Sequence, residues 1–334
     1  MALSFPVSAM NRSETSSASD GQPGSGKASE ESLVSRGPRS HALVVGGGVI
    51  GLAIAWRLAR RGLSVRVLER GRCGREASWA AAGMLAADAE MEYEEPELHR
   101  FSVKGRELWP EFAAELEEAT GRDVDYRVDE TLMVAEDRDA REALRRRYEF
   151  LAGENLDVEW LSGSEARGIE PFLSPEVRAA VRAPSDHQVD NRKVIGALVE
   201  GLRGEGGHVE EETVVRAIQG EPDREGVRAI TDETTYQAEW GIVAAGAWSG
   251  RLDGLPEPPP PIRPVRGQVI ELELVPPFGL SHVVRGSEAY LVPKGEDRLM
   301  IGATSEEQGF DRAVTAGALY RLLEGGRRAV RGID

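Results

Sequence analysis

The amino-acid sequence predicts an α/β protein (α+β overall) in which a nucleotide-binding domain is interleaved with a second, sheet-rich domain. Two observations lead to this prediction. An apolar strand, a glycine cluster and an apolar helix follow one another in residues 42–58, and a second strand ends soon afterwards in an acidic residue. The order of helix and strand returns in residues 190–215, after a long acidic stretch. Strands alternating with helices are typical of a parallel sheet, and the interruption indicates an inserted domain.

The glycine cluster is a G-x-G-x-x-G fingerprint formed by Gly46, Gly48 and Gly51. Gly46 allows the strand to turn sharply, and Gly48 lets the backbone approach a pyrophosphate. Gly51 lets the helix pack closely against the strand. The helix then directs its N-terminal N–H groups toward the phosphates. The pattern predicts a Rossmann-like dinucleotide site.

An acidic residue, Glu69, follows the second predicted strand, Ser64–Leu68. Its carboxylate is placed to accept hydrogen bonds from ribose hydroxyls, and it would repel a 2′-phosphate. The alternatives are a glycine-rich turn in a buried unit and a membrane span. The apolar run of residues 42–56 is shorter than the roughly 20 residues that a span needs, so a span is disfavoured.

Composition restricts the classes of partner. The chain has 334 residues, enough for two domains, and its formal net charge of −16 argues against nucleic acid or an anionic membrane surface as partners. A single cysteine, Cys73, excludes an internal disulfide framework, and the histidines show no ligand spacing, so we expect no metal site.

Residues 1–39 differ from the rest of the chain. Ser, Gly, Pro and other small polar residues dominate there, and such a stretch buries too little apolar surface to offset its ordering entropy. We expect a disordered tail. It lacks the apolar segment of a secretory signal, which favours a cytoplasmic location.

The remaining elements follow from apolar periodicity and turn residues. An Ala-rich segment, residues 77–85, is either an ordinary helix start or a backbone surface against a flat ligand. The predicted helices and strands after it are helices at 103–120, 137–150, 190–203 and 313–330 and strands near 208–215, 240–245, 264–272, 289–293 and 299–304. We assign residues 40–88 and 185–260 to the nucleotide-binding domain and residues 89–184 and 261–312 to the sheet-rich domain. Residues 313–334 form a C-terminal helix.

Several segments occur in an order that resembles the FAD-dependent D-amino acid oxidase family. They are the fingerprint, the run Ala77–Leu85, the turn Ala244–Ser249, the strand Pro264–Gln268, and Tyr290–Pro293 followed by Gly302–Thr304. The run Ala80–Leu85 is most similar to the glycine oxidase branch of thiamine biosynthesis. The resemblance implies FAD as the cofactor and a mixed-sheet substrate domain.

The resemblance also implies roles for individual residues. The implied cofactor contacts are Val49 and Ile50 at the pyrophosphate, Glu69 and Arg70 at the adenosine ribose, Ala77 and Ser78 beside the phosphates, Ala82, Gly83 and Met84 against the isoalloxazine, Val215 at the adenine and Gly246 in the second glycine turn. Tyr290 would face the substrate, and Ser305 stands at a position where the family often has Met. Tyr290 as a cross-strand packing residue stays open, and so does Arg266 as either a flavin-side cation or a sheet-face residue.

The activity implied is oxidative deamination of glycine and small amino acids or amines, with hydride transfer to flavin N5 and reduction of O2 to H2O2. The imine would supply thiamine thiazole synthesis. A small amino acid or amine and O2 are the implied partners, with a homo-oligomer as a further expectation. The family has an arginine that clamps the substrate carboxylate after the helix at 313–330, whereas this sequence ends at Asp334, so we expect C-terminal truncation. Alternatives are a sarcosine or D-amino acid oxidase or dehydrogenase, and an inactive FAD-binding fragment.

Overall fold

The structure is a computed structural model that describes residues 3–4, 35–36, 39–221 and 225–333. The chain divides into two compact units. The first unit comprises Met1–Cys73 and Leu202–Ile262, and the second unit comprises Gly74–Gly201 and Arg263–Asp334. The predicted disordered tail lies outside the described residues, apart from residues 3–4, 35–36 and 39.

The described elements are helices and strands in alternating and meandering order. The helices are α1 Val49–Ala59, α2 Ala77–Ala80, α3 Pro96–Thr120, α4 Arg138–Gly153, α5 Gly163–Ile169, α6 Asn191–Gly204 and α7 Ala316–Ala329, with a 3-10 helix at Gly246–Arg251. The strands are β1 Leu3–Ser4, β2 Ser35–Arg36, β3 Ser40–Val45, β4 Val65–Leu68, β5 Met84–Leu85, β6 Thr131–Ala135, β7 Glu159–Ser162, β8 Ala179–Ala183, β9 His187–Gln188, β10 His208–Glu210, β11 Val215–Gly220, β12 Val227–Thr231, β13 Thr234–Val243, β14 Ile270–Glu273, β15 Val283–Arg285, β16 Tyr290–Lys294 and β17 Arg298–Gly302.

The first unit contains a sheet that is parallel from β10 to β13, as predicted, and antiparallel from β13 to β11. Its described strands run in the order β10-β4-β3-β13-β12-β11, with β1 and β2 also paired to β13. β3 is parallel to both β4 and β13, and β10 is parallel to β4, so the expected return of the nucleotide-binding sheet near His208 is confirmed. Leu43 and Val45 of β3 pack with Leu68 and Val215 in the core of this unit.

The second unit is built on a mixed sheet with strand order β14-β17-β16-β15-β6-β8-β7. Successive side chains of a strand point to opposite faces. On one face Val284, Leu291 and Ile301 pack with α7 through Leu322 and Ala329. The other face carries the alternate residues of the same strands, and we call it the Tyr290 face because Tyr290 lies on it.

The α/β class is confirmed, and three predicted elements differ from the structure. The strand expected near 208–215 is divided into β10 and β11, which lie at opposite ends of the strand order. The strand expected at 264–272 is reduced to β14, because Arg266 instead makes an isolated bridge with Glu306 ahead of it. The helix expected from residue 103 begins at Pro96, a residue whose fixed φ suits the first helical turn. Along the chain, the division between the units falls at residues 73–74, 201–202 and 262–263, whereas the predicted domain limits lie at 88, 185 and 260. In the described part of the chain, no helix combines the length and apolarity that crossing a membrane requires.

Candidate cofactor and substrate site

Two fingerprint glycines of the first unit occupy positions that admit no side chain. Gly46 has φ +112°, and a Cβ there would lie closer than 3.0 Å to the carbonyl oxygen of Ala244. A Cβ on Gly51 would come equally close to the carbonyl oxygen of Gly46. The atoms that would be met are backbone atoms, so they cannot rotate away. The close approach of β3, α1 and the segment after β13 therefore requires glycine at both positions.

The N-terminus of α1 carries no acidic side chain. Its N-cap, Gly48, has extended backbone and no side chain that could cap the helix, and the first turn contains no acidic residue. The positive end of the helix dipole is therefore not neutralised by the helix itself. Val49 is half-buried, and Ile50 is 47% exposed at the first turn, in line with their predicted place beside a pyrophosphate.

Glu69 holds two backbone segments together. Its carboxylate oxygens accept hydrogen bonds from the Gly47 N–H at 2.7 Å and from the Gly71 N–H at 2.9 Å. A carboxylate offers about four acceptor positions, so further positions are available for ribose hydroxyls. The sequence reasoning missed Gly47, whose Cβ would lie 2.5 Å from the Cys73 sulfur. Burial raises the pKa of that thiol to about 12, which makes Cys73 an inert packing group.

The residues predicted to contact the adenosine are linked within the first unit. The Thr213 N–H donates to the Glu69 carbonyl at 2.8 Å, which brings Val215, at the start of β11, toward Glu69. Arg70 stacks on the Trp248 ring, with its guanidinium carbon 3.5 Å from the ring centroid. Gly246, with φ +53°, opens the 3-10 helix that carries this tryptophan.

The first unit has several features that suit a dinucleotide. The glycine cradle, formed by Gly46 and Gly51, lies directly against backbone atoms, and the N-terminus of α1 carries no acidic group. The Glu69 carboxylate is oriented by two backbone N–H groups. Each feature suits one part of the ADP half of FAD: close backbone approach for the pyrophosphate, helix N–H groups for its charge, and an acceptor for the ribose. The residues present fit the group.

The Ala-rich segment lies in the second unit. Ala77 and Ser78 begin the short helix α2, where Ala77 is exposed and the Ser78 carbonyl accepts a hydrogen bond from Asn191 Nδ2 at 2.7 Å. Gly83 has φ +72°, and a Cβ there would come closer than 3.0 Å to the Val189 carbonyl oxygen. Met84 then starts β5, which pairs with β9.

Tyr290 packs against a buried cluster that includes one of the predicted flavin-side residues. It stands opposite Gly302 in the β16–β17 pair, and its ring lies where a Cβ of Gly302 would be. Tyr290 and Met84 pack against a buried cluster that contains Ala82. The structure therefore brings three of the predicted residues together, and cross-strand packing and a substrate-facing role are compatible for Tyr290. Burial raises the pKa of its phenol, so the group stays neutral near neutral pH.

The sequence reasoning missed a buried lysine, Lys294, two alternations beyond Tyr290 on β16. It is 2% exposed, and its Nζ donates to Gln188 Oε1 at 3.0 Å and to the Val189 carbonyl at 2.6 Å. Nζ also lies 3.0 Å from where a Cβ of Gly83 would be. Burial lowers its pKa to about 8. Lys294 thus fixes the backbone beside Gly83, and only the period-two spacing from Tyr290 could have indicated it.

The two remaining predicted positions are Ser305 and Arg266. Ser305 is exposed in the segment that follows β17. Arg266 forms ion pairs with Glu306 and with Asp311, and the hydrogen bond from Arg266 lowers the pKa of Glu306 to about 2. The charge of Arg266 is therefore neutralised within the second unit.

Comparison with known proteins identifies the family. A sequence profile described as "DAO: FAD dependent oxidoreductase" matches residues 41–333. This chain belongs to the DAO family. FAD is accordingly its cofactor, and it is a member of an FAD-dependent oxidase family, as the resemblance implied.

Individual DAO-family relatives are similar over most of the chain. Glycine oxidase of Geobacillus kaustophilus is 35% identical over 297 residues, covering 89% of this chain and 78% of that protein. The bifunctional protein ThiO/ThiG of Synechocystis is 33% identical over 301 residues, covering 87% of this chain and 42% of that protein. The crystal structure of the Geobacillus enzyme superposes with a TM-score of 0.79 at 34% identity, covering 88% of this chain and 79% of that one.

Proposed function

We propose that this DAO-family chain oxidises glycine or another small amino acid or amine to the imine. One C–H and one N–H bond of the substrate amine break, and the two electrons and two protons are finally taken up by O2 as H2O2. Bound FAD supplies the two-electron acceptor that connects these half-reactions. Water then hydrolyses any imine that is not consumed.

The observation that carries this proposal is that Tyr290 and Met84 pack against the same buried cluster, which contains Ala82, in a chain 35% identical to a glycine oxidase. Small side chains allow a flat ring to approach, and the buried Val292 and Met300 beside them keep water away. The neutral Tyr290 hydroxyl can orient a small polar substrate by hydrogen bonding. In this reaction class the protein mainly positions the substrate, so a dedicated acid–base triad is not required.

We further propose that the imine serves thiamine thiazole synthesis. The supporting observation is the similarity to ThiO/ThiG, in which an oxidase-like portion is joined to a second protein. A short-lived imine is best used where it is made, so a thiazole-forming protein would be the partner. The cytoplasmic location and homo-oligomeric state expected from the sequence belong to the same proposal.

Flavin content and peroxide release test the proposed activity. We expect the purified protein to be yellow, or to become so with added FAD, and to release H2O2 with glycine and with sarcosine. A dehydrogenase would reduce its flavin with these substrates but react slowly with O2, which anaerobic reduction followed by oxygen addition distinguishes. A protein that takes up FAD and oxidises neither compound would contradict the proposal.

A further inference from the structure

A basic side chain, Arg285, lies on the Tyr290 face of the second-unit sheet. Arg285 ends β15, where it stands opposite Tyr290 of β16 and opposite Met133 of β6. Residues directly opposite each other in neighbouring strands share a face. Arg285 is therefore a neighbour of the tyrosine for which we propose substrate contact.

The surroundings of Arg285 are mostly apolar. Val283, Val292 and Met300 occupy the same face and pack with Ala82. The Arg285 side chain is 31% exposed, and burial lowers the pKa of its guanidinium below the ordinary value. A guanidinium that is partly removed from water requires an anionic partner.

The structure gives Arg285 a partner whose side chain is partly exposed to water. Glu90 forms an ion pair with Arg285, but its own side chain is 49% exposed. Glu90 also lines a cavity of about 340 Å³ together with Met84. Because its carboxylate can turn into water, losing the pair costs Glu90 little, whereas Arg285 is held at the end of a paired strand. A carboxylate from a ligand can therefore replace that of Glu90.

We propose that Arg285 is a specificity-determining residue that binds a second carboxylate of the substrate. The preferred substrate class is then amino acids with an acidic group in addition to the α-carboxylate. This inference rests on the proposed oxidase function and narrows it. Glu90 acts as the internal carboxylate that keeps Arg285 paired until such a substrate arrives.

The kinetic test compares matched pairs of small substrates. Iminodiacetate is compared with sarcosine, and D-aspartate with D-alanine, so that each pair differs in the second carboxylate. We expect Arg285→Met to raise KM for the two acidic compounds about tenfold or more, relative to the neutral ones. Glu90→Gln should lower KM for the acidic compounds severalfold. Equal effects of both variants on all four compounds would overturn the inference.

Arg182→Met is the matched control. Arg182 is 33% exposed, is paired with Glu130 and Glu159, and lies on β8 of the same sheet. It stands opposite Leu132, whose side chain belongs to the other face. The control should lose stability as Arg285→Met does, but it should not change the preference for acidic substrates. A changed preference in the control would contradict a specific role for Arg285.

A binding measurement separates this inference from the proposed function. We expect iminodiacetate to raise the Tm of the purified protein more than glycine at equal concentration, and Arg285→Met to abolish the difference. If that holds while no compound is oxidised, the oxidase proposal fails and the carboxylate site stands. If glycine is oxidised and iminodiacetate gives no Arg285-dependent shift, the inference fails and the oxidase proposal stands.

Discussion

The two units of this chain present their candidate binding residues by different means. In the first unit, glycines without side chains and backbone amides form the cradle, and Glu69 is the principal side chain, held by two amides. In the second unit, the residues proposed to contact the substrate, Tyr290 and Arg285, are side chains on one sheet face, and Lys294 on the same face fixes nearby backbone. A site built from backbone tolerates almost no substitution, whereas a site built from side chains can change its ligand without changing the fold. The difference predicts where mutation removes the cofactor and where it alters substrate use.

The largest effect is expected from Gly46→Ala in the first unit. Alanine would have to adopt the positive φ of Gly46, which is unfavourable for a residue with a side chain. Its Cβ would also collide with backbone atoms of Ala244 and Ala245. We expect a loss of about 4 kcal/mol or more in the free energy of unfolding, together with loss of the flavin absorbance band. Gly62→Ala is the control, because Gly62 has φ +81° but open space around it. It should cost about 1 kcal/mol. Equal costs for both variants in urea denaturation would show that the cradle is not tight.

The next effect concerns Lys294 and depends on pH. The folded-state pKa is about 8, against an ordinary value of 10.5. Between these values the unfolded chain binds more protons than the folded one, so this lysine makes stability rise with pH. We expect the unfolding free energy of the natural chain, minus that of Lys294→Met, to increase by about 3 kcal/mol from pH 7.5 to pH 10.5. A flat difference in denaturation experiments would mean that Lys294 is not desolvated.

A smaller effect is expected from Glu69→Gln. The amide can accept at only one atom, so one of the Gly47 and Gly71 N–H groups would face an NH2 group instead of an oxygen. An unsatisfied donor of this kind costs about 1–3 kcal/mol, which should weaken FAD binding about 5- to 150-fold. Fluorescence titration with FAD measures this. Glu205→Gln, which alters an exposed carboxylate 4.0 Å from Arg60, should leave FAD affinity unchanged.

The smallest effect is expected from Tyr290→Phe in the second unit. Loss of one hydrogen bond to the substrate should raise KM by about fivefold, equivalent to about 1 kcal/mol, without changing FAD affinity. Tyr320→Phe on α7 is the control, because that side chain is exposed. A weakened FAD affinity in Tyr290→Phe would show that the tyrosine supports the cofactor site and not substrate binding.

The contrast between the units also explains what the sequence could predict. The sequence predicts Gly46, Gly51 and Glu69, because a tight turn and a strand end restrict the residue type at fixed spacing. The amphipathic helix before β10 predicts that this strand joins the sheet in parallel orientation. Tyr290 was identified through a family resemblance, since an aromatic residue in a strand is equally typical of packing.

Other site residues carried no local signal. Lys294 acquires its role from Gln188 and Val189, which lie far away in the chain, and Arg285 acquires its role from Glu90. The boundary residues 74–88 follow the parallel strands in sequence but pack in the second unit, because Gly83 closes against Val189. Contacts of this range depend on the tertiary fold and cannot be derived from spacing.

The place of β3 in the first unit has a consequence for how the chain acquires its structure during synthesis. β3 is made early, yet it pairs with β13, which begins only at Thr234. One side of the central strand therefore stays unpaired until most of the chain has left the ribosome, and closing so long a loop slows folding. An unpaired apolar edge is also a template for association with other chains. We expect the nascent chain to depend on chaperones until β13 docks.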